Sequence, residues 1–273
     1  MRPIVLAACL AIALPAVFAA DGTPGSRDAA LAAAIASPSR SPQFMPRDAA
    51  RKPAEVLAFA GLSPTQTVVE ISPSGGYWTE ILAPYLARGG TYYTAISPRV
   101  ASERAAKAAD AWQQKLEANK ASWGSVRISE FGKGATGGVA PAGSADLVLT
   151  FRNVHNWMAV GYIDEAFPAF FAALKPGGVL LVEEHRAPTD KPQDPKAASG
   201  YVREDYTKAL AQKAGFEFVG ASEILANPKD TKDWERGVWT LPPTLTLGDK
   251  DREKYVAIGE ADNFLLKFRK PRK

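Results

Sequence analysis

Residues 67–86, Thr-Val-Val-Glu-Ile-Ser-Pro-Ser-Gly-Gly-Tyr-Trp-Thr-Glu-Ile-Leu-Ala-Pro-Tyr-Leu, constrain the fold more than any other part of this chain. Val68, Val69 and Ile71 make a short apolar run of the kind that forms a buried strand. Small residues follow from Ser72 to Gly76, with Pro73 stiffening the turn. The spacing then becomes helical, with Trp78, Ile81, Leu82 and Tyr85 on one face. A strand that runs through such a turn into a helix opens a nucleotide-binding α/β unit. The backbone there must pass close to a ligand, and side chains would be in the way.

The rest of the chain continues the alternation. Strand patterns cover 67–71, 91–96, 126–129, 146–151, 179–184, 216–221 and 263–268, and helical patterns cover 77–87, 100–119, 162–174 and 204–214. Alternation of this kind predicts a mostly parallel sheet with helices on both faces. Ligands of such sheets bind beyond the carboxyl ends of the strands, where the strand order reverses. The chemistry is therefore expected just after strands one, four and five.

The turn and four further landmarks carry a family resemblance. Glu70 precedes a turn in which Ser72, Ser74 and Gly76 stand at the positions of a Gly-x-Gly-x-Gly motif, with Gly75 beside them. Ala-Asp-Leu-Val-Leu-Thr-Phe-Arg-Asn-Val-His-Asn-Trp at 145–157 resembles a fourth strand and the loop after it. Leu-Lys-Pro-Gly-Gly-Val-Leu-Leu-Val-Glu-Glu at 174–184 resembles a turn and fifth strand, Ala-Gln-Lys-Ala-Gly-Phe-Glu-Phe-Val at 211–219 a join between a helix and the sixth strand, and 263–271 a final antiparallel strand. In this order the landmarks resemble class I S-adenosylmethionine-dependent methyltransferases, and most closely a bacterial exported group described as predicted methyltransferases. The resemblance runs from about Arg47 onward. It implies a doubly wound, seven-stranded, mostly parallel sheet of Rossmann-like form whose last strand is antiparallel, and S-adenosylmethionine as cofactor.

The same resemblance implies cofactor contacts at Glu70, Ser72, Ser74, Gly75 and Gly76. Ser97 stands where an acidic residue usually holds the ribose hydroxyls, and Glu130, after the third strand, is placed to reach the adenine amino group. The chain has two histidines, His155 and His185, and both follow neighbouring strands at the expected cleft. Methyl transfer needs an aligned nucleophile and, where the nucleophile carries a proton, a base; His155 is the expected base. Asn153 and Asn156 are expected to orient substrate, His185 to share the cleft, and Arg152 to pair with a carboxylate or phosphate. Glu183 and Glu184 alternate on their strand and so point to opposite faces, one of them toward a helix cap or a lysine, the other toward His185. Two histidines and a glutamate also form a candidate metal set, but the spacing does not specify one and no metal is expected.

A net charge of +4, with basic and acidic residues interleaved, gives no nucleic-acid footprint. Residues 1–20 read as an export signal, with Arg2, an apolar stretch and a small-residue cleavage site. The expectation is a periplasmic or secreted protein without membrane insertion after signal removal. The only cysteine, Cys9, lies inside that signal, so no disulfide or thiol chemistry is expected. Residues 21–46 read as a flexible linker with a short helix at 28–36, and 47–273 as the domain. A helix is expected over 48–61, with Pro53 tolerated near its start. The excursion 223–262, rich in Trp and Pro, is expected to fold over the cleft, with Tyr201 and Tyr206 lining it. Three functions fit these features: methyl transfer to a small-molecule or envelope acceptor, a catalytically inactive ligand-binding protein on the same scaffold, and, disfavoured by the 174–184 and 263–271 segments, a nicotinamide-dependent dehydrogenase.

Overall fold

The computed structural model describes residues 27–273; the expected signal at 1–20 lies outside the described residues. Helix α1 (Arg27–Ile35) is followed by α2 (Asp48–Arg51) and α3 (Pro53–Ala60). Then come β1 (Thr67–Ile71), α4 (Thr79–Leu86), β2 (Thr91–Ile96), α5 (Glu103–Ala118), α6 (Lys120–Trp123), β3 (Val126–Glu130) and β4 (Ala145–Phe151). Helices α7 (Val154–Val160) and α8 (Ile163–Ala173) lead to β5 (Leu174–His185), α9 (Glu204–Lys213), β6 (Glu217–Ser222), α10 (Arg252–Ile258) and β7 (Asn263–Arg269). The seven strands form one sheet in the order β3-β2-β1-β4-β5-β7-β6. All pairs are parallel except those made by β7, which runs antiparallel between β5 and β6.

The central strands are apolar on both faces because both faces are covered. Val69, Ile71, Val148, Leu180, Val182 and Leu266 meet one helical layer through Phe167 and Phe170. Val68, Leu147, Leu149, Leu181 and Leu265 meet the other through Leu57, Ile81, Leu82 and Leu86. α5 starts at Glu103 rather than near Val100, because the Ser102 side chain caps it by accepting from Ala105 N–H at 3.0 Å. Its only buried residues are Ala109 and Trp112, as a solvated helix requires.

Three local expectations are revised. The helix expected over 48–61 breaks at Lys52, which adopts a left-handed backbone (φ 42°) before Pro53 starts α3. Proline disfavours helical backbone in the residue before it, so it serves here as a first residue of a new helix rather than an early residue of a long one. The pattern after β4 hides a further helix, α7. Finally, the segment 37–46 is packed against the domain: Arg40 is 2% exposed, its guanidinium paired with Asp48 at 2.6 and 2.8 Å, and Ser41 donates through both N–H and hydroxyl to buried Glu80. No helix among the described residues is long and apolar enough to cross a membrane.

Arg40→Ala leaves Asp48 without its bidentate partner and is expected to cost about 3 kcal/mol, measured by urea unfolding. A change within error of zero would mean that this segment behaves as a linker.

Candidate functional site

The strand order reverses between β1 and β4, and two adjoining cavities lie at the carboxyl ends of these strands. One, of about 410 Å³, includes Glu70, Ser72, Trp78, Arg152, His155 and His185 in its wall. The other, of about 730 Å³, runs along Ser97, Ala105, Trp112, Phe131 and Trp157. Ser72, Pro73, Ser74, Asn153 and Asn156 border both, so the turn after β1 and the start of α7 form a shared ridge between them.

The turn keeps an unusual backbone without glycine at two of its positions. Ser72 and Ser74 sit at φ 51° and 54°, in the left-handed region that favours glycine. Gly76 meets a packing constraint that the sequence does not show. It lines neither cavity, and at φ 94° a Cβ there would lie 3.1 Å from the Trp112 ring, so it makes room for α5. Gly75 borders the smaller cavity and faces the Phe44 ring at 3.2 Å.

Glu70 is 2% exposed, and its Oε2 accepts from the Thr79 hydroxyl at 2.6 Å and from the Tyr92 hydroxyl. Burial pushes its carboxyl up to about 7, against those two hydrogen bonds and Lys115. Tyr92, desolvated and beside Glu70, is raised as well. Glu70 thus ties β1 to β2 and α4 beneath the turn. Ser97 borders the larger cavity as expected, but Glu130 borders neither. It ends β3, the edge strand, directly before Phe131, Gly132 and Lys133, which do border the larger cavity.

Asn153 joins the ends of the two central strands: its Nδ2 donates to Ile71 O at 3.1 Å and Thr150 Oγ1 at 3.3 Å. His155 lies in the first turn of α7 rather than in a loop, and that places it over the end of β5. Its Nδ1–H donates to Glu184 Oε1 at 2.9 Å, and its backbone N–H to Glu184 Oε2 at 3.1 Å. Glu184 is fully buried; burial alone would raise its carboxyl, but His155 and His185 hold it below the ordinary value, as a carboxylate. A carboxylate can only accept, so Nδ1 of His155 carries a proton and Nε2 is the ring nitrogen left without that bond. His185 Nδ1–H donates to Asn263 Oδ1 at 2.7 Å, and burial lowers its pKa to about 3, so it is neutral. The two imidazole rings lie 5.5 Å apart.

The alternation of Glu183 and Glu184 is as read from the strand, but their partners differ from expectation. Glu184 serves His155 rather than the His185 ring, and Glu183 meets neither a helix cap nor a lysine. It faces Arg152 at 3.6 Å, and Arg152 bonds Glu260 at 2.7 Å. Burial pushes Glu183 up to about 7. His155, Glu184 and His185 each offer a ligand atom within 4.8 Å of the others, the candidate metal set of the sequence. Both Glu184 oxygens already accept from N–H groups, His185 N–H among them at 2.8 Å, so the carboxylate acts here as the holder of His155.

Val238, Trp239, Pro242, Pro243 and Thr244 of the 223–262 excursion wall the smaller cavity. Asp230 anchors this excursion by accepting from Tyr201 OH, Trp234 Nε1 and Asp262 N–H at 2.7–3.0 Å. Tyr201 packs under it with Val238 and Leu241, whereas Tyr206 packs against the main core instead. Glu260 was missed in the sequence. No motif marks it; the Asn227 side chain, remote in sequence, donates to Ile258 O and Glu260 O and shapes the chain where Glu260 turns toward the arginines.

Because Glu70 binds a proton more tightly folded than unfolded, its contribution to stability is complete below its ordinary value near 4.5 and is lost as pH rises through about 7. Glu70→Gln keeps an acceptor for Thr79 and Tyr92 and removes the charge. Its stability relative to the unsubstituted protein is expected to improve by on the order of 3 kcal/mol from pH 4.5 to 8, read from urea midpoints. A difference that does not change with pH would contradict a raised Glu70.

No family model and no curated protein matches the chain. Solved structures do resemble it. A SAM dependent methyltransferase from Aquifex aeolicus is 15% identical, with a TM-score of 0.53 over 84% of this chain and 93% of that one. Phosphoethanolamine N-methyltransferase 2 of Haemonchus contortus, in complex with S-adenosyl-L-methionine, is 16% identical with a TM-score of 0.53; the match covers 81% of this chain and 52%, about half, of that one. The cyclase SpnF is 16% identical with a TM-score of 0.52, over 82% and 81% of the two chains. At these identities the likeness is one of fold: with strand order 3-2-1-4-5-7-6 and an antiparallel β7, the chain has the Rossmann-like fold of class I methyltransferases.

Proposed function

We propose that the protein transfers a methyl group from S-adenosylmethionine to a small-molecule or cell-envelope acceptor, with His155 taking the acceptor's proton. The observation that carries this reading is the pair of cavities meeting at the ridge of Ser72, Ser74, Asn153 and Asn156, across the reversal of strand order. An elongated ligand lying over that ridge would have one end in the larger, flatter cavity and the other beside the histidines.

The residues present suit this cofactor. The left-handed Ser72 and Ser74 give the turn the path of a glycine-rich one. Ile96, Ala105, Trp112 and Phe131 offer a nucleoside apolar surface, with the Ser97 hydroxyl in place of a ribose-binding carboxylate. In the smaller cavity Trp78 Nε1 and Arg51 Nε are buried donors without a hydrogen-bond partner among the described residues.

S-adenosylmethionine, when bound, supplies a methyl group activated by its sulfonium. The chain's own residues supply alignment and proton removal. Asn153, fixed between β1 and β4, and Asn156 border the acceptor space and orient it by hydrogen bonds. His155 accepts the proton at Nε2, and the Glu184 carboxylate stabilises the imidazolium through Nδ1. Trp239 and Pro242 wall this end against water. Alignment of this kind contributes several kcal/mol, and a base roughly a hundredfold or more in rate.

A binding protein on the same scaffold is the second reading. It is favoured by the Glu70 carboxylate oxygen, which is already occupied by Thr79 and Tyr92. The export segment read from the sequence bears on both readings, since it would place the acceptor in the cell envelope.

Incubation of the full chain with methyl-labelled S-adenosylmethionine and envelope extract is expected to label an acceptor. His155→Gln is expected to lower the labelling rate by about a hundredfold or more, with affinity for S-adenosylhomocysteine unchanged. Labelling at the unsubstituted rate would remove His155 as the base, and S-adenosylhomocysteine binding with no labelled acceptor would support the binding protein.

A further inference from the structure

Three guanidinium groups share one carboxylate at the wall of the smaller cavity. Arg47 grips both oxygens of Glu260 at 2.8 and 2.9 Å, Arg152 Nη1 bonds Oε2 at 2.7 Å, and Arg51 Nε stands 3.9 Å from the same oxygen. Arg47, Arg51 and Arg152 all line the cavity. The other carboxylate in reach, Glu183, lies 3.6 Å from Arg152 and also feels Arg47, and its raised pKa of about 7 means that it neutralises the cluster only in part. Arg40 and Asp48 pair with each other and leave this balance unchanged.

Arg51 is the telling member. It is 7% exposed, its plane lies over the Tyr77 ring at 4.3 Å, and its Nε has no hydrogen-bond partner among the described residues. A buried guanidinium with a spare donor, in a group of three that outnumbers its two counter-ions, is costly unless an anion completes it. Guanidinium forks fit the paired oxygens of carboxylates and phosphates. The cluster is also held in place: Asn227 fixes the backbone at Glu260, and the Ser41–Glu80 contacts hold down the segment that leads into Arg47 and Arg51.

We propose that Arg47, Arg51 and Arg152 form an anion subsite in the wall of the smaller cavity, taking the carboxylate or phosphate group of a ligand bound there. The subsite stands independently of methyl transfer. Two sources supply such a group: the amino-acid end of the cofactor, or an acidic acceptor.

The test is titration of the full chain with inorganic phosphate at constant ionic strength, with chloride as the balancing salt. It is followed by tryptophan fluorescence, since Trp78 and Trp239 line the cavity. Saturable binding is expected, weakened about tenfold in Arg51→Gln and unchanged in Arg99→Gln, where the charge removed is an exposed one paired with Asp110. If Arg51→Gln does not fold, Arg47→Gln is expected to weaken binding in the same way. Absence of saturable binding, or equal affinity in a folded Arg51→Gln or Arg47→Gln, overturns the subsite. Competition between phosphate and S-adenosylhomocysteine assigns the subsite to the cofactor's carboxylate; simultaneous binding assigns it to the acceptor. Phosphate binding without any S-adenosylhomocysteine binding keeps the subsite and removes the methyl-transfer reading.

Discussion

The reversal of strand order between β1 and β4 is the constraint on which the rest of this structure depends. Successive strands are laid down first to one side of β1 and then to the other, so the connections after β1 and β4 leave the sheet apart from each other and open a crevice. One side-chain amide bridges that crevice at its floor: Asn153 links the end of β4 to the Ile71 carbonyl of β1. On one side lies a broad apolar groove, and on the other a smaller cavity where charge is concentrated. The sheet decides where a ligand can sit, and the residues just past its strand ends decide what that ligand can be.

Two adjacent glutamates show how much chemistry this geometry extracts from one strand. Glu183 and Glu184 end β5 and point to opposite faces, so each enters a separate network. Glu184 meets two histidines and is held as a carboxylate; Glu183 meets an arginine that is already committed to Glu260, and burial pushes it up to about 7, so at neutral pH it is only partly ionised. Together they separate a proton-handling side of the cavity from an anion-binding side, with Arg152 at the border. A one-residue slip of β5 would exchange the two environments, and the register with β4 and β7 fixes it.

Strand positions were legible in the sequence because apolar runs buried on both faces read clearly, and β1 and β2 have the expected bounds. The neighbourhood of the two histidines was legible for the same reason, since each follows a recognisable strand. Other features depend on partners remote in sequence. Gly76 has the Trp112 ring, contributed by α5, packed over it, a contact that no local pattern announces. The segment 37–46 has the composition of a linker, and its order comes from buried ionic contacts to Asp48 and Glu80 that no local pattern announces. Glu260 carries no motif at all; only the fold brings it to three arginines.

Calorimetric titration of the full chain with S-adenosylhomocysteine tests the central claim most directly: that the ridge of Ser72, Ser74, Asn153 and Asn156 is the seat of a nucleoside-bearing cofactor. The account predicts one site with micromolar affinity, weakened when Ser74, which borders both cavities, is replaced by a bulky residue such as Leu. No heat of binding up to millimolar ligand would contradict it, and would leave a methyltransferase fold whose crevice serves another molecule.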